Sequence, residues 1–188
     1  MKPHEVFVAA ASEALEDLGV DGLTVREVAR RAKQSTIGIY RHFSGKPGLL
    51  DALFRRGFEQ LGEAAQEAGE REANAHDAVL ATVGAYLDLA HSHPQHYRLM
   101  FAPATAGYAP TAEARAFALD NYARFVALVE RLPGHAYDAR RVAADLFALV
   151  HGHVALRAQA LGPALAWDEW AGRIAASVDR QLAMLERN

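Results

Sequence analysis

Residues 24–46, TVREVARRAKQSTIGIYRHFSGK, hold two short helices around a tight turn. Thr24 and Glu27 stand at the spacing where a hydroxyl and a carboxylate satisfy each other's unpaired backbone donors, so a helix begins at Val25. Val25, Val28, Ala29 and Ala32 give it one apolar face. Ser35 caps a second helix of about two turns, which ends at His42, Phe43 and the breakers Ser44 and Gly45. A helix that short is not stable alone in water. Held by neighbours, it can lie in a DNA major groove with its first residues on base edges and its flanks on phosphates.

The residue types suit that use. Thr36 offers a hydroxyl, Ile37 an apolar group for a thymine methyl, and Gly38 a bare backbone for close approach. Tyr40, His42 and Lys46 sit at the rim as phosphate-contacting groups, and Lys46 directly precedes Pro47 at the next helix start. From Val6 to Phe54 the chain resembles the DNA-binding domain of the TetR family of transcriptional repressors. The resemblance rests on Gly19, TVxxVAxxA at 24–32, Ser35, GIYRHF at 38–43, Lys46 and the leucines at 49 and 50. It implies a DNA face made of Thr24, Arg26, Lys33, Ser35, Thr36, Ile37, Gly38, Tyr40, His42 and Lys46. The chain departs from the family at the turn, where Lys33 and Gln34 replace a glycine and an apolar residue, and at Thr36, a position often basic there.

Charge fits this reading without carrying it. Residues 1–56 hold nine Lys/Arg against seven Asp/Glu, and the remainder eleven against sixteen, so a mildly basic head precedes an acidic body. The 188 residues contain no cysteine, which excludes disulfides, thiolate metal sites and a cysteine nucleophile. The N-terminal MKPHEVFVAAASEALEDLG has acidic residues within its apolar stretch, so it reads as an amphipathic helix and neither as a signal peptide nor as a membrane span. A cytoplasmic location follows as the expectation.

Elsewhere the period is helical throughout, so the expected fold is all-α. Phe7, Ala10, Ala11, Ala14, Leu15 and Leu18 form the inner face of a first helix stopped by Gly19. A fourth helix runs from Pro47 to about Arg71. Further helices open at Asn74 and Pro94, and the loop APATAGYAP and the break LPGH flank a seventh at about 112–131. An eighth runs from the Asp138 cap to about 160, and Gly162-Pro163 leads to a ninth from Asp168. Nine helices in this order match the TetR-like architecture, with a DNA-binding domain at 1–50 and a ligand-binding and dimerisation domain at 51–188.

The second domain resembles the C-terminal type named for its Trp-His-Gly motif, through HPQHYRLMF at 93–101 and FALVHGHVAL at 147–156. Here Val150 stands at the Trp position before His151 and Gly152. Val142, Ala143, Ala144, Leu146, Phe147, Ala148, Leu149 and Val150 put apolar side chains on every face of their helix, which therefore needs cover on both sides. Ala144, Ala148 and Gly152 recur every fourth residue and admit a close neighbour. With the stripe Trp170, Ile174, Val178 and Leu182 on the last helix, Leu149, Gly152 and Leu156 form the expected homodimer interface, a four-helix arrangement as in the family. Tyr86, Tyr97, Met100, Phe101, Tyr122, Phe125, Phe147 and His151 lie on helices that surround one cavity in a TetR-like fold. They suit a small lipophilic or aromatic effector.

An alternative is metal sensing by His91, His93 and His96, together with His151 and His153. It requires convergence that no thiolate or carboxylate completes, and His91 and His93 straddle a helix end. No phosphate loop, nucleophile elbow or carboxylate pair points to an enzyme, and no cofactor is expected. The expected partners are double-stranded operator DNA, a small effector and a second copy of the chain.

Overall fold

The computed structural model describes residues 2–101, 108–133, 137–160 and 165–187. These form nine helices and no strand: α1 (Pro3–Gly22), α2 (Val25–Arg31), α3 (Thr36–Phe43), α4 (Lys46–Arg71), α5 (Ala75–Ser92), α6 (Pro94–Phe101), α7 (Ala112–Glu130), α8 (Ala139–Ala158) and α9 (Trp167–Leu185). Gly162-Pro163 lies outside the described residues, as do parts of the expected loop at 102–110 and of the break at 132–135.

Local chemistry sets the ends. Gly19 does not stop α1 but kinks it, with φ 66° and ψ 179°, and the helix resumes to Gly22. The Thr24 hydroxyl accepts the Glu27 N–H at 3.2 Å and opens α2. Only that half of the expected reciprocal cap forms, because the Glu27 carboxylate accepts from the Nε of Arg30 and of Arg31, both at 2.8 Å. Ser35 caps α3 by accepting the Ile37 N–H at 3.2 Å, and Asp138 caps α8 by accepting from Arg140 and Arg141.

The chain divides into two compact units, one of residues 1–60 with 91–119 and the other of 61–90 with 120–188. This differs from a single cut at residue 50, and the reason is polar and apolar anchoring of α6 and early α7 in the first unit. The Glu16 carboxylate accepts the first-turn N–H groups of Gln95 at 3.2 Å and His96 at 2.9 Å, supplying α6 with the cap its own sequence lacks. His96 is buried, with Nε2 2.8 Å from the Leu53 carbonyl of α4. Tyr108 donates to Asp51 at 2.6 Å. Leu99, Tyr108, Ala114 and Ala118 accordingly share one core with Phe7, Leu15, Ile39, Phe43, Leu49 and Leu53.

The second unit is built on the remaining α4, α5, α7, α8 and α9. Val79, Val83, Val129, Leu146, Ile174, Val178 and Leu182 are its innermost side chains. Where α8 ends and α9 begins, the Arg157 guanidinium lies 5.6 Å from the Trp167 ring and 5.0 Å from the Trp170 ring. It also donates to the Leu165 carbonyl at 3.1 Å.

The α2–α3 turn shows how the unusual Lys33 is accommodated. Gln34 N–H bonds back to the Ala29 carbonyl at 3.0 Å and Lys33 N–H to the Arg30 carbonyl at 3.2 Å, the paired bonds of a Schellman C-cap. That motif needs a left-handed residue, and Lys33 supplies it with φ 52°. A side chain in that conformation costs roughly 1–2 kcal/mol, part of which glycine's greater unfolded-state freedom offsets. Lys33→Gly is therefore expected to stabilise the protein by about 0.5–1 kcal/mol, raising Tm by roughly 1–4 °C in a thermal melt.

Candidate functional site

The first unit presents α3 outward. Ile39 and Phe43 point into the core, whereas Ile37 is 74% exposed and Tyr40 61% exposed. The exposed Ile37 and Tyr40 lie on the side of α3 away from the core, Ile37 at the start of the helix. Thr36 beside Ile37 is half-buried, and Arg26, Lys33 and Arg41 are exposed. Gly38 has a structural duty as well as its expected closeness to bases. A Cβ there would lie 2.7 Å from Cζ of Phe7, so the missing side chain is what lets α1 and α3 meet.

The other expected DNA residues are divided between contact and scaffold. Thr24 and Ser35 use their hydroxyls as the caps described above. Lys46 donates its ammonium to the Val20 carbonyl at 2.7 Å, where α1 ends and a cation is favoured. His42 lies edge-on to His4 and Phe43 and tilted against Phe7, with ring centroids 6.2 to 6.4 Å apart. Arg30 and Arg31 are held by Glu27, and Arg31 also reaches Asp17 at 2.6 Å. The hydrogen bonds from Arg30 and then Arg31 hold the Glu27 carboxyl down to about 2. Glu27 and Asp17 were not among the expected site residues. The signal for Glu27 was its spacing of three and four from the two arginines.

The expected pocket residues fall into two groups. In the second unit Tyr86, Tyr122, Phe125, Phe147 and His151 converge. Tyr86 Oη is 2.9 Å from His151 Nδ1, and the Phe147 ring stacks on His151 with centroids 5.4 Å apart. Phe147 meets Tyr86 and Tyr122 edge-on at 5.9 and 6.0 Å, and Tyr122 approaches Phe125 at 6.2 Å. Burial pushes the His151 imidazole below its usual range and the Tyr122 phenol above its own, so both favour their neutral forms. Tyr97, Met100 and Phe101 belong to the first unit, where Phe101 packs on Tyr97 and Phe58 at 4.9 and 5.4 Å.

Burial corrects the expected subunit interface. Trp170, Ile174, Val178 and Leu182 are no more than 4% exposed within one chain, so they close the second unit's own core and cannot meet a partner. Val142, Ala143, Leu146 and Val150 likewise face inward. Among its apolar residues α8 leaves Ala144, Ala148, Leu156 and Ala158 outside, next to the exposed Arg141, Asp145 and His153, with Leu149 and Gly152 half-exposed, and α9 exposes Gly172, Ala176 and Met184. An added Cβ at Gly152 or Gly172 would meet no atom within 4 Å.

The histidines do not assemble. His96 spends its ring on the Leu53 carbonyl, and burial pushes its imidazole below the usual range. Among the described residues no group of three or more His, Asp or Glu could hold a metal ion, and no helix is long and apolar enough to cross a membrane.

Known proteins match both halves. Residues 7–53 fit the family model of the bacterial regulatory proteins, tetR family, and residues 79–185 that of the tetracyclin repressor-like C-terminal domain. Over 46 residues the chain is 46% identical to the tetracycline repressor protein class G of Vibrio anguillarum, 24% of this chain and 22% of that protein. Over 95 residues it is 33% identical to the HTH-type transcriptional activator FasR of Mycolicibacterium smegmatis, 50% of this chain and 43% of that one. The matched stretches thus span less than half of these curated relatives. A solved protein of unknown function from Rhodococcus sp. RHA1 aligns over 97% of this chain and 96% of its own, at 30% identity and TM-score 0.79. FadR from Bacillus subtilis, solved with stearoyl-CoA, shares the fold at 16% identity and TM-score 0.70, over 95% and 96% of the two chains.

The opposite orientations of Ile37 and Gly38 are separable by melting curves. Ile37→Ala, on an exposed side chain, is expected to change stability by no more than about 0.5 kcal/mol. Gly38→Ala forces a methyl against Phe7 and is expected to cost about 1–3 kcal/mol.

Proposed function

This chain belongs to the TetR family of bacterial regulatory proteins, and from that premise we propose that it is a homodimeric repressor released from operator DNA by a small neutral effector. The observation that carries this reading is the capped α3, with Ile37 exposed while Ile39 and Phe43 anchor the same helix in the core. Ile37 and Thr36 face bases, the isoleucine on a thymine methyl and the hydroxyl on a base edge. Tyr40, Lys33 and Arg26 take phosphates. Glu27 and Asp17 keep Arg30 and Arg31 largely occupied, so few cations remain for the backbone of DNA.

Two such helices read two half-sites about 34 Å apart, or a multiple of that, when two chains join. The exposed small residues of α8 and α9 support joining through that face: Ala148, Gly152, Gly172 and Ala176 allow helices to approach closely, with Leu156 and Met184 supplying apolar area. The effector site is the aromatic group around Phe147. A neutral imidazole bonded to Tyr86 suits an aromatic or lipophilic molecule with one hydrogen-bonding group. An effector that weakens operator binding by some factor must have its own binding weakened by operator to the same extent.

A selection of bound sequences from random DNA supplies the operator for two tests. Lys33→Gly is expected to weaken binding on all sequences alike and to reduce the slope of log affinity against log salt by about one, while Thr36→Ala changes base preference. An unaltered salt slope would remove Lys33 from the interface. In light scattering the wild type is expected to be a dimer at micromolar concentration. Ala148→Glu gives a folded monomer and Ile174→Glu an unfolded chain, because only the second carboxylate enters the chain's own core. A monomeric wild type sinks the dimer.

A further inference from the structure

His76, the second residue of α5, lies between the carboxylate of Asp179 on α9 and that of Glu186, the C-cap of α9. Its Nδ1 is 3.0 Å from Glu186 Oε1 and its Nε2 is 2.9 Å from Asp179 Oδ1, with the histidine side chain only 19% exposed. A neutral imidazole carries one N–H and one lone pair, and an ionised carboxylate can only accept. Both contacts are therefore hydrogen bonds at once only when the ring is an imidazolium. Asp179 and the C-cap Glu186 are two turns apart along α9 and frame the inward Leu182, so the histidine fastens the far half of that helix to the start of α5. The two carboxylates stand on opposite ring nitrogens, so no single metal ion could replace the proton.

We propose that His76 is a proton-operated clamp: protonated, it ties α9 to α5 through Asp179 and Glu186 together, and on losing its proton it must release one of them. The surrounding groups leave the ring to these two partners. Asp77 on α5 is turned to the Asn74 side chain at 2.9 Å, and Tyr137 donates to the Val129 and Leu132 carbonyls. Arg180 of α9 bonds Ser177, and Arg71 pairs with Glu72 at 2.9 Å. Burial and the N-terminal end of α5 both disfavour a cation here, but the bonds to Asp179 and Glu186 outweigh them and raise the imidazole above its usual range. A raised folded-state value means that the clamp's stability is fully present below the unfolded value of about 6.5. It is lost as pH climbs through the higher, folded one.

The test uses the full chain. By NMR the His76 ring is expected to titrate above 6.5, and Asp179→Asn or Glu186→Gln each moves that midpoint down. Wild type is expected to melt a few degrees above His76→Gln at pH 6, a gap at least halved by pH 9. A wild-type midpoint at or below 6.5, or a gap that ignores pH, overturns the clamp. The functional arm rests on the dimer proposed above: since α9 carries part of that face, the wild-type dimer is expected to loosen several-fold between pH 6 and 9, and that of His76→Gln to stay level. A protein monomeric at every pH defeats the dimer reading and leaves the clamp to be judged on the titration. A dimer whose affinity is flat in pH defeats the link between clamp and assembly.

Discussion

The outward face of α3 depends on the contact between the Phe7 ring and the backbone of Gly38. An eight-residue helix has too few internal hydrogen bonds to persist, so α3 exists only as long as α1 gives it a surface. Phe7 is 2% exposed and fills the space a side chain at 38 would occupy. Ile39 and Phe43 complete the attachment from the same face. The opposite face is thereby fixed as well, and Ile37 and Tyr40 point outward as a consequence of what their neighbours bury.

A second layer of constraint is polar. Glu16 caps α6 from α1, His96 reaches the Leu53 carbonyl, and Asp51 accepts from Tyr108 and from the Thr111 N–H. Each of these groups would be costly to bury unpaired, and each finds its partner on an element distant in sequence. Together they make α6 and the first half of α7 part of the same core as α1 to α4.

Much of this was legible in the sequence, because caps and helical periods are local. Thr24, Ser35 and Asp138 announce three helix starts by residue type alone, and the breakers at 44–45 mark the end of α3. Partnership across the fold was not legible. Trp170, Ile174, Val178 and Leu182 make an apolar stripe whether a helix packs on its own chain or on a second copy, and only burial distinguishes the two. The ammonium of Lys46 has the same look bound to Val20 as it has facing a phosphate. His76 lies 103 and 110 residues from its carboxylates, beyond the reach of any spacing rule. The aromatic group was half readable: Tyr86, Tyr122, Phe125, Phe147 and His151 do meet, while Tyr97, Met100 and Phe101 serve the other unit.

The Arg157 stack has an optical consequence. The chain has only two tryptophans, and both lie under that one guanidinium where α8 ends and α9 begins. Intrinsic tryptophan emission therefore originates from a single spot. Neither tryptophan belongs to α1, α2 or α3, and both report on the surroundings of the Arg157 side chain. The protein thus carries its tryptophan pair on the helix that exposes Gly172, next to the end of the helix that carries Gly152.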